Sequence, residues 1–374
     1  MKRIYLDNNA TTAVDPKVLK KVFDDLSGPP ANPSSVHWFG MKAKQKLIEA
    51  RDTCASFFRA SPEEILFTSS GTESIHFMLN GLNRKGHLIT TNTEHSAMEK
   101  AIQGLEAEGM KVTWLPSGLL GAPNPEAIEE AICSDTQAIA LSLSNGETGV
   151  RLDLEKIYSI AEKNKIPLLL DGVAFIGKEP FTPHPAIHAL AISGHKFHAP
   201  KGIGLLFHKK RFPLSPLFLG GGQEYNLRSG TENLSGILGL TTALEILKEE
   251  QQEITEKILA LRLHFENELF RSLDNIAING KGKRISNTSN LAFLGVDGET
   301  LLMQLDLAGI AASHGSACSS GALEPSRILL GMGIDRKQAR SSIRFSFART
   351  NTKEEIDQAL EIIVQAVRNC LKIS

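Results

Sequence analysis

Short apolar runs alternate with helix-like segments between about residue 60 and residue 210. The runs Ile65–Thr68, His87–Thr91 and 138–143 have the length and composition of buried strands. In the segment after the last of these runs, Leu154 and Ile157 begin a series of apolar residues at helical spacing. Because strands that alternate with helices usually lie parallel in one sheet, this pattern predicts an α/β fold with a mostly parallel sheet.

A long proline-free stretch, residues 235–273, separates this region from a part of the chain with a different pattern. A helix of that length commonly crosses from one lobe of a protein to another. Beyond it, the apolar spacing predicts a strand at 289–293, a helix at 298–305, a second strand at 343–347 and a final amphipathic helix at Lys353–Ile373. We therefore expect a smaller α+β lobe at the C-terminal end.

The length of the chain, 374 residues, exceeds what one hydrophobic core usually fills, which supports a division into two lobes. We place the large lobe at residues 14–255 and the small lobe at residues 1–13 together with 256–374. The composition is 41% hydrophobic and 22% charged, with a formal net charge of −1. This near-neutral charge gives no reason to expect a nucleic acid or a membrane surface as a partner.

The cysteines Cys54, Cys133, Cys318 and Cys370 are widely spaced and form no CxxC pair. Their spacing fits neither a zinc site nor a disulfide framework, so we expect no metal and a reducing compartment. No apolar run approaches the roughly 18 residues of a membrane span. The first residues also lack the apolar stretch of a signal peptide, and the expected location is the cytoplasm.

The pairing of Asp171 with Lys196 is the most informative chemical feature of the sequence. Asp171 follows the apolar run 166–170, and Lys196 ends a loop of small residues after another apolar run. Side chains that follow the strands of an open α/β sheet lie at its ligand-binding edge. An amine there can form a Schiff base with pyridoxal phosphate (PLP), while a carboxylate keeps the pyridine nitrogen protonated. From this pair alone, a surface lysine and a strand-capping aspartate are the commoner explanation.

Small and hydroxyl-bearing residues around two of the predicted strands indicate a phosphate site. Gly71 and Thr72 stand between a strand and a helical pattern, where backbone N–H groups attract an anion. Ser193 and His195 flank Lys196 and offer further donors. Taken alone, the Gly71 segment equally fits an ordinary helix cap.

Three further residues have side chains suited to PLP chemistry. His95 lies just past a predicted strand, where an aromatic ring can cover the pyridine face and move protons. Arg344 lies in a strand-like run and can bind a carboxylate through two hydrogen bonds, although a structural salt bridge is nearly as common. Cys318 lies among small polar residues, whereas a structural cysteine usually lies in an apolar run. Such a loop suits a thiol that moves towards a substrate and away again.

Together these segments resemble the cysteine desulfurases of the NifS/IscS kind, which are fold-type I PLP enzymes of the class V aminotransferase family. The resemblance runs nearly end to end. It rests on the segments 5–12, 32–37, 71–73, 93–95, 193–196, 228–231, 315–318, 323–326 and 341–346.

For the cofactor, the resemblance implies that Lys196 forms the Schiff base, Asp171 pairs with the pyridine nitrogen and His95 stacks on the ring. It assigns the phosphate to a set of small or hydrogen-bonding residues, one of them from the other subunit of a homodimer. These are Gly71, Thr72, Ser193 and His195, with Thr231 from the second subunit.

For the reaction, the resemblance implies that Arg344 and Asn145 bind the substrate, L-cysteine. Cys318 would then attack the substrate sulfur, which leaves L-alanine and a persulfide on Cys318. An acceptor or scaffold protein would receive the sulfur for the assembly of iron–sulfur clusters or of another thio-cofactor.

Two positions depart from the family pattern. The family has an asparagine where this chain has Gly146 and a glutamine where it has Ala174, and both normally donate to the phenolic oxygen of PLP. Their absence predicts weaker cofactor binding, since a hydrogen bond to a charged group contributes roughly 1.5–3 kcal/mol. Three alternatives therefore stay open: a selenocysteine lyase, another β-elimination enzyme, and a catalytically weakened homologue that serves as a binding or regulatory subunit.

Overall fold

The computed structural model describes residues 3–315 and 325–373, so Cys318 lies outside the described residues. The strands are β1 (Ile4–Tyr5), β2 (Ile65–Thr68), β3 (His87–Thr91), β4 (Lys111–Leu115), β5 (Thr136–Ser142), β6 (Leu168–Asp171), β7 (Ile187–Ser193), β8 (Gly204–His208), β9 (Ile276–Ile278), β10 (Thr288–Phe293), β11 (Ile310–Ala311) and β12 (Ser342–Ser346). The helices are α1 (Pro16–Leu26), α2 (Trp38–Phe58), α3 (Gly71–Asn80), α4 (Ser96–Ala107), α5 (Pro125–Glu130), α6 (Leu154–Asn164), α7 (Leu234–Ser272), α8 (Gly298–Leu307), α9 (Arg327–Gly331), α10 (Arg336–Arg340) and α11 (Lys353–Ile373).

The large lobe is built on a seven-stranded sheet in the order β2-β8-β7-β6-β5-β3-β4. The pairs that join β4, β3, β5, β6 and β7 are parallel, whereas β8 runs antiparallel to both β7 and β2. The predicted α/β fold with a mostly parallel sheet is therefore confirmed. The strand pattern alone did not indicate the reversed direction of β8.

The central strands are continuous apolar runs because helices cover both faces of the sheet. Along β6, Leu168 and Leu170 pack into one hydrophobic cluster together with residues of α2, α6 and α7. Leu169, which points to the opposite face, packs into a second cluster together with residues of α3 and α4. A strand buried on both faces needs no polar alternation, which explains the unbroken apolar run.

The small lobe contains the antiparallel sheet β12-β10-β9 and the parallel pair of β1 with β11. The 39-residue helix α7 leads into it, and the ring of Phe265 near the end of α7 lies 5.0 Å from that of Phe345 and 5.2 Å from that of Phe347. Because β1 pairs with β11, the N-terminal segment joins the C-terminal part of the chain. The predicted lobe boundaries themselves stay a prediction.

Among the residues that the structure describes, no helix has both the length and the apolar character needed to cross a bilayer.

Candidate active site

The predicted site residues Asp171 and Lys196 follow two neighbouring parallel strands. Asp171 ends β6, and Lys196 lies in the 3₁₀ turn Gly194–Lys196 directly after β7. Within the sheet, Asp171 is opposite Ser142 of β5 on one side and Ala191 of β7 on the other. Parallel strands end at the same edge, so the fold brings these side chains to one place.

Asp171 is a buried carboxylate that two nearby basic groups attract. Its side chain is 5% exposed, and one oxygen accepts a hydrogen bond of 2.8 Å from the backbone N–H of Val173. Burial raises the pKa of the Asp171 carboxyl, while positive charge on His95 and on Lys196 opposes that rise. The structure therefore places His95, Asp171 and Lys196 close enough to interact.

His95 caps the N-terminus of α4. Its Nδ1 accepts a hydrogen bond of 3.1 Å from the N–H of Ala97, and the ring is exposed. The preceding residue, Glu94, is buried and accepts hydrogen bonds from Thr91 and Ser142. Burial raises the pKa of the Glu94 carboxyl to about 7. Sequence reasoning missed Glu94, although it lies inside a matched segment.

The amine of Lys196 contacts the N-terminal segment of the chain. Its Nζ donates to the carbonyl of Asn9 and, at 3.1 Å, to that of Ala10. Asn9 is itself fixed, because its amide donates to the Gly146 carbonyl at 2.9 Å and to the Thr288 hydroxyl at 2.8 Å. This segment, which sequence reasoning matched but left without a role, thus closes one side of the site.

The predicted phosphate residues Gly71 and Ser193 pack against each other at the start of α3. A Cβ added to Gly71 would lie 2.6 Å from Val173 Cγ2 and 3.3 Å from Ser193 Cβ, so no larger residue fits there. The N-terminus of α3 consequently lies against the ends of β6 and β7, with its first N–H groups at the sheet edge. Thr72 follows Gly71, and its side chain is exposed.

His195 completes this side of the site. Its Nδ1 lies 3.2 Å from the hydroxyl of Thr11. Burial, assisted by the positive charge of Lys196, lowers the pKa of His195 to about 4. The imidazole is therefore neutral near pH 7 and keeps one N–H that can serve as a donor.

Thr231 lies in the loop before α7. It is exposed and lines a small cavity with Thr68, Gly202 and Arg228. None of the hydrogen bonds among residues 3–315 and 325–373 joins it to Thr72, Ser193 or His195.

Arg344 is held in place by the N-terminal segment. It is 4% exposed, and its guanidinium binds Asp7 at 2.7 Å and the carbonyl of Gly146 at 3.3 Å. Within the described part of the chain, its buried Nε has no hydrogen-bond partner. An unpaired buried donor is costly, and a ligand carboxylate could satisfy it. Asp7 was not predicted as its partner.

Asn145 has a structural function in this chain. Its side-chain oxygen accepts the N–H groups of Glu147 at 2.9 Å and Thr148 at 3.0 Å, and its amide donates to the carbonyl of Thr93 at 2.9 Å. These bonds hold the turn between β5 and α6 in place. The predicted contact of Asn145 with the substrate stays a prediction, and the side-chain oxygen is already engaged by the backbone.

The predicted persulfide carrier, Cys318, lies outside the described residues, but the chain before it is anchored. Ser313 exchanges two backbone hydrogen bonds with Arg344, of 3.1 and 2.7 Å. Of the cysteines in the described part of the chain, Cys54 and Cys370 are buried and Cys133 is exposed. Burial raises the pKa of the Cys54 thiol to about 12, which makes this thiol unreactive.

The residues at this edge fit PLP. The buried carboxylate of Asp171 could pair with the pyridine nitrogen. The N-terminus of α3 could bind the phosphate, because Gly71 there leaves no space for a side chain. Among the described residues, Arg344 has a buried Nε without a hydrogen-bond partner, which could bind a carboxylate. The exposed ring of His95 lies near the Asp171 carboxylate, close enough for its charge to act on it.

Comparisons with known proteins agree with this geometry. The aminotransferase class-V family profile matches residues 4–359. A cysteine desulfurase from Nostoc sp. is 37% identical over 380 residues, which cover 100% of this chain and 95% of that protein. The cysteine desulfurase IscS from Dictyoglomus turgidum is 36% identical over 382 residues, covering 100% of this chain and 97% of that protein.

Solved structures of related proteins share the fold. A NifS-like protein is 34% identical with a TM-score of 0.91, and the match covers 98% of this chain and 100% of that one. The structure described as SspA in complex with cysteine is 30% identical with a TM-score of 0.80, covering 93% of this chain and 99% of that one. These relatives favour the desulfurase over the alternatives left open by the sequence. The chain therefore belongs to the class V aminotransferase family and, within it, to the PLP-dependent cysteine desulfurases.

Proposed function

We propose that the protein converts L-cysteine to L-alanine with PLP bound to Lys196, and that Cys318 receives the sulfur. The observation that carries this proposal is the placement of Asp171 and Lys196 at the ends of the neighbouring strands β6 and β7. His95 is close enough for its charge to act on Asp171. One edge of the sheet thus combines an amine, a buried carboxylate and an aromatic ring.

At the phosphate end, Gly71 and Thr72 supply backbone N–H groups from the start of α3. Ser193 adds its hydroxyl, and His195 adds the N–H of a neutral imidazole. The close packing of Gly71 on Ser193 supports this arrangement, because it brings the donors of α3 and β7 together.

The substrate carboxylate binds to Arg344. Asp7 and the Gly146 carbonyl orient the guanidinium, and its Nε is the donor that remains for a ligand. The role of Asn145 is then to hold the turn that presents the Gly146 carbonyl.

In the reaction, bound PLP supplies an electron sink for the atoms around the substrate α-carbon. Lys196 and His95 are the groups of this chain that would carry protons to and from the substrate. The Cys318 thiolate attacks the substrate sulfur, so that an S–S bond forms as the C–S bond breaks. The electron pair of the broken bond stays with the carbon fragment, which takes up protons and leaves as L-alanine, while Cys318 keeps the persulfide.

The functional unit is a homodimer in which Thr231 reaches the phosphate of the second subunit. The exposure of Thr231, and the lack of a hydrogen bond from it to the phosphate residues of its own chain among residues 3–315 and 325–373, support this assignment. Large apolar side chains exposed on one helix, Leu19, Phe23 and Leu26 of α1, offer apolar surface for a subunit contact.

Subunit mixing tests the role of Thr231. A Lys196→Ala homodimer and a Thr231→Ala homodimer should both be impaired. A mixed dimer regains one wild-type site, because Lys196 comes from one subunit and Thr231 from the other. Mixtures that stay as inactive as the parents would contradict a shared site.

The persulfide passes to an acceptor or scaffold protein for iron–sulfur cluster or other thio-cofactor assembly in the cytoplasm. The name IscS of one relative supports the acceptor class, and thiol chemistry of this kind needs a reducing compartment. The two lobes, residues 14–255 and residues 1–13 with 256–374, enclose the site, as supported by the contact of Arg344 with the carbonyl of Gly146.

Borohydride reduction followed by peptide mapping tests the central assignment. The pyridoxyl group should be found on Lys196, and Lys196→Ala should abolish both the label and alanine release. Lys201→Ala, which removes an exposed lysine of the following loop, is the matched control and should retain both. A label on any other lysine would rule out Lys196 as the cofactor lysine.

A further inference from the structure

Lys178 is a buried lysine beside the turn that carries Lys196. Its side chain is 4% exposed, and its Nζ donates to the backbone carbonyl of Lys196. Among residues 3–315 and 325–373, no carboxylate forms an ion pair with it. A buried ammonium group without a counter-ion is unfavourable, so the position of Lys178 calls for an explanation.

The backbone of Lys178 is fixed from the other side. Its carbonyl accepts hydrogen bonds from the hydroxyl of Thr255 at 2.9 Å and from that of Ser286 at 2.7 Å. Ser286 also donates its N–H at 2.6 Å to Glu179, the next residue along the chain. The backbone of Lys178 is therefore fixed, while its buried amine contacts the Lys196 turn.

The charged groups around Lys178 are mostly basic. Burial, followed by the positive charges of Lys196 and Arg349, lowers the pKa of Lys178 to about 7. Positive charge on Lys178 also contributes to the lowered pKa values of His195 and His198.

The nearby carboxylates already have other partners. Asp15 binds Arg349 at 2.6 Å, Glu179 lies 3.6 Å from Arg151, and Glu250 lies 3.9 Å from Arg349. Asp171 faces Lys196 and His95. Each of these carboxylates thus has another partner, and an anionic ligand beside Lys196 would supply the negative charge that Lys178 lacks.

We propose that Lys178 is the buried counter-charge of the cofactor pocket, and that it takes up a proton when PLP bonds to Lys196. This inference rests on the proposed role of Lys196. PLP binding would bring the negative charge of the phosphate and phenolic oxygens to the side of Lys196, whose backbone carbonyl accepts a hydrogen bond from Lys178 Nζ. This added negative charge favours the ammonium form of Lys178.

Proton uptake during PLP binding tests the inference directly. Calorimetry of PLP binding to the cofactor-free chain, in buffers of different ionisation enthalpy, gives the number of protons taken up. At pH 8 the wild type should take up more protons than Lys178→Gln, by up to about one proton. Below about pH 6 the difference should disappear, because Lys178 is then protonated before PLP binds.

Two further variants separate charge from structure. Lys178→Arg carries a permanent charge, so it should retain PLP while showing the low proton uptake of Lys178→Gln. Lys178→Gln keeps a donor for the Lys196 carbonyl but should bind PLP roughly tenfold more weakly. Lys209→Gln is the matched control, because Lys209 also donates to a backbone carbonyl, that of Pro185, but lies away from the site. It should behave as the wild type.

Equal proton uptake by the wild type and Lys178→Gln at pH 8 would overturn the inference. If Lys178→Gln fails to fold, the same comparison with Lys178→Arg decides the question. Borohydride mapping distinguishes this failure from that of the proposed function: a label on Lys196 with equal proton uptake refutes only the role of Lys178.

Discussion

Gly146 and Ala174 face each other across the cofactor edge of the sheet: a Cβ built on Gly146 lies 3.6 Å from the Cβ of Ala174. Among the described residues, chain neighbours aside, that methyl group is the one heavy atom within 4 Å of the added Cβ, and the backbone of Gly146 is not in the left-handed region. The two positions that lack the expected donors thus lie side by side, and the structure accommodates a Cβ at Gly146.

Restoring both donors should tighten PLP binding. In Gly146→Asn with Ala174→Gln, cofactor retention on dialysis should improve about tenfold or more, since each hydrogen bond to a charged oxygen contributes roughly 1.5–3 kcal/mol. Because both donors stabilise the phenolate, the absorbance of bound PLP should also titrate at a lower pH. The two changes belong in one variant, since their effects on one oxygen need not add.

Gly104→Asn is the control for this variant, because an added Cβ at Gly104 meets nothing within 4 Å and the position lies in α4, away from the pocket. Unchanged retention and an unchanged titration in the double variant would show that another group already satisfies the oxygen.

Arg344→Lys should weaken binding of L-cysteine. Lysine cannot keep the bond to Asp7 and also offer a second, planar donor to the substrate carboxylate. We expect KM to rise roughly 10- to 100-fold, corresponding to about 1.5–3 kcal/mol, with a smaller change in kcat. Steady-state kinetics of alanine release measures both.

Arg284→Lys removes a comparable guanidinium, which binds Glu266 at 2.6 and 3.0 Å in another part of the chain, and should leave KM unchanged. An Arg344→Lys enzyme with a normal KM would assign the substrate carboxylate to another residue.

Glu94→Gln should alter the pH dependence of stability in the cofactor-free protein. Burial raises the pKa of Glu94 from 4.5 to about 7, so the folded protein binds this proton more tightly than the unfolded chain does. Protonation of Glu94 stabilises the folded protein fully below pH 4.5. As the pH rises through about 7, this stabilisation disappears, which lowers the unfolding free energy by roughly 3 kcal/mol.

The loss of Tm between pH 5 and pH 8 should consequently be smaller in Glu94→Gln than in the wild type. Glu106→Gln, which changes an exposed glutamate of α4, should follow the wild type. Parallel Tm curves for all three proteins would mean that Glu94 titrates normally.

Cys318→Ser should abolish persulfide formation and sulfide release from L-cysteine, while Cys133→Ser should retain both. Cys133 is the informative control because it is exposed and hydrogen bonding by Thr136 lowers the pKa of its thiol. Cys54 cannot substitute, since burial keeps its thiol protonated. Alkylation of the persulfide followed by peptide mapping identifies the carrier, and a persulfide on Cys133 would exclude Cys318 as the sole one.

The sequence by itself predicted several of the strands and helices and identified Asp171 and Lys196 as candidate cofactor residues. Strands such as β2 and β3 were predicted with their observed bounds, because runs buried on both faces are apolar without interruption. Asp171 and Lys196 were identified because each follows such a run, and parallel strands present their ends at one edge. These signals depend only on residues that are neighbours along the chain, so they can be recognised in the sequence.

Contacts between distant parts of the chain were decided only by the tertiary structure. Arg344 binds Asp7, 337 positions away, and the amine of Lys196 reaches the carbonyl of Asn9, 187 positions away. The direction of β8 and the burial of Lys178 were likewise decided by the tertiary structure. No spacing in the sequence encodes such contacts, because they depend on how the lobes and the N-terminal segment pack together, and packing is set by the whole core rather than by neighbouring residues.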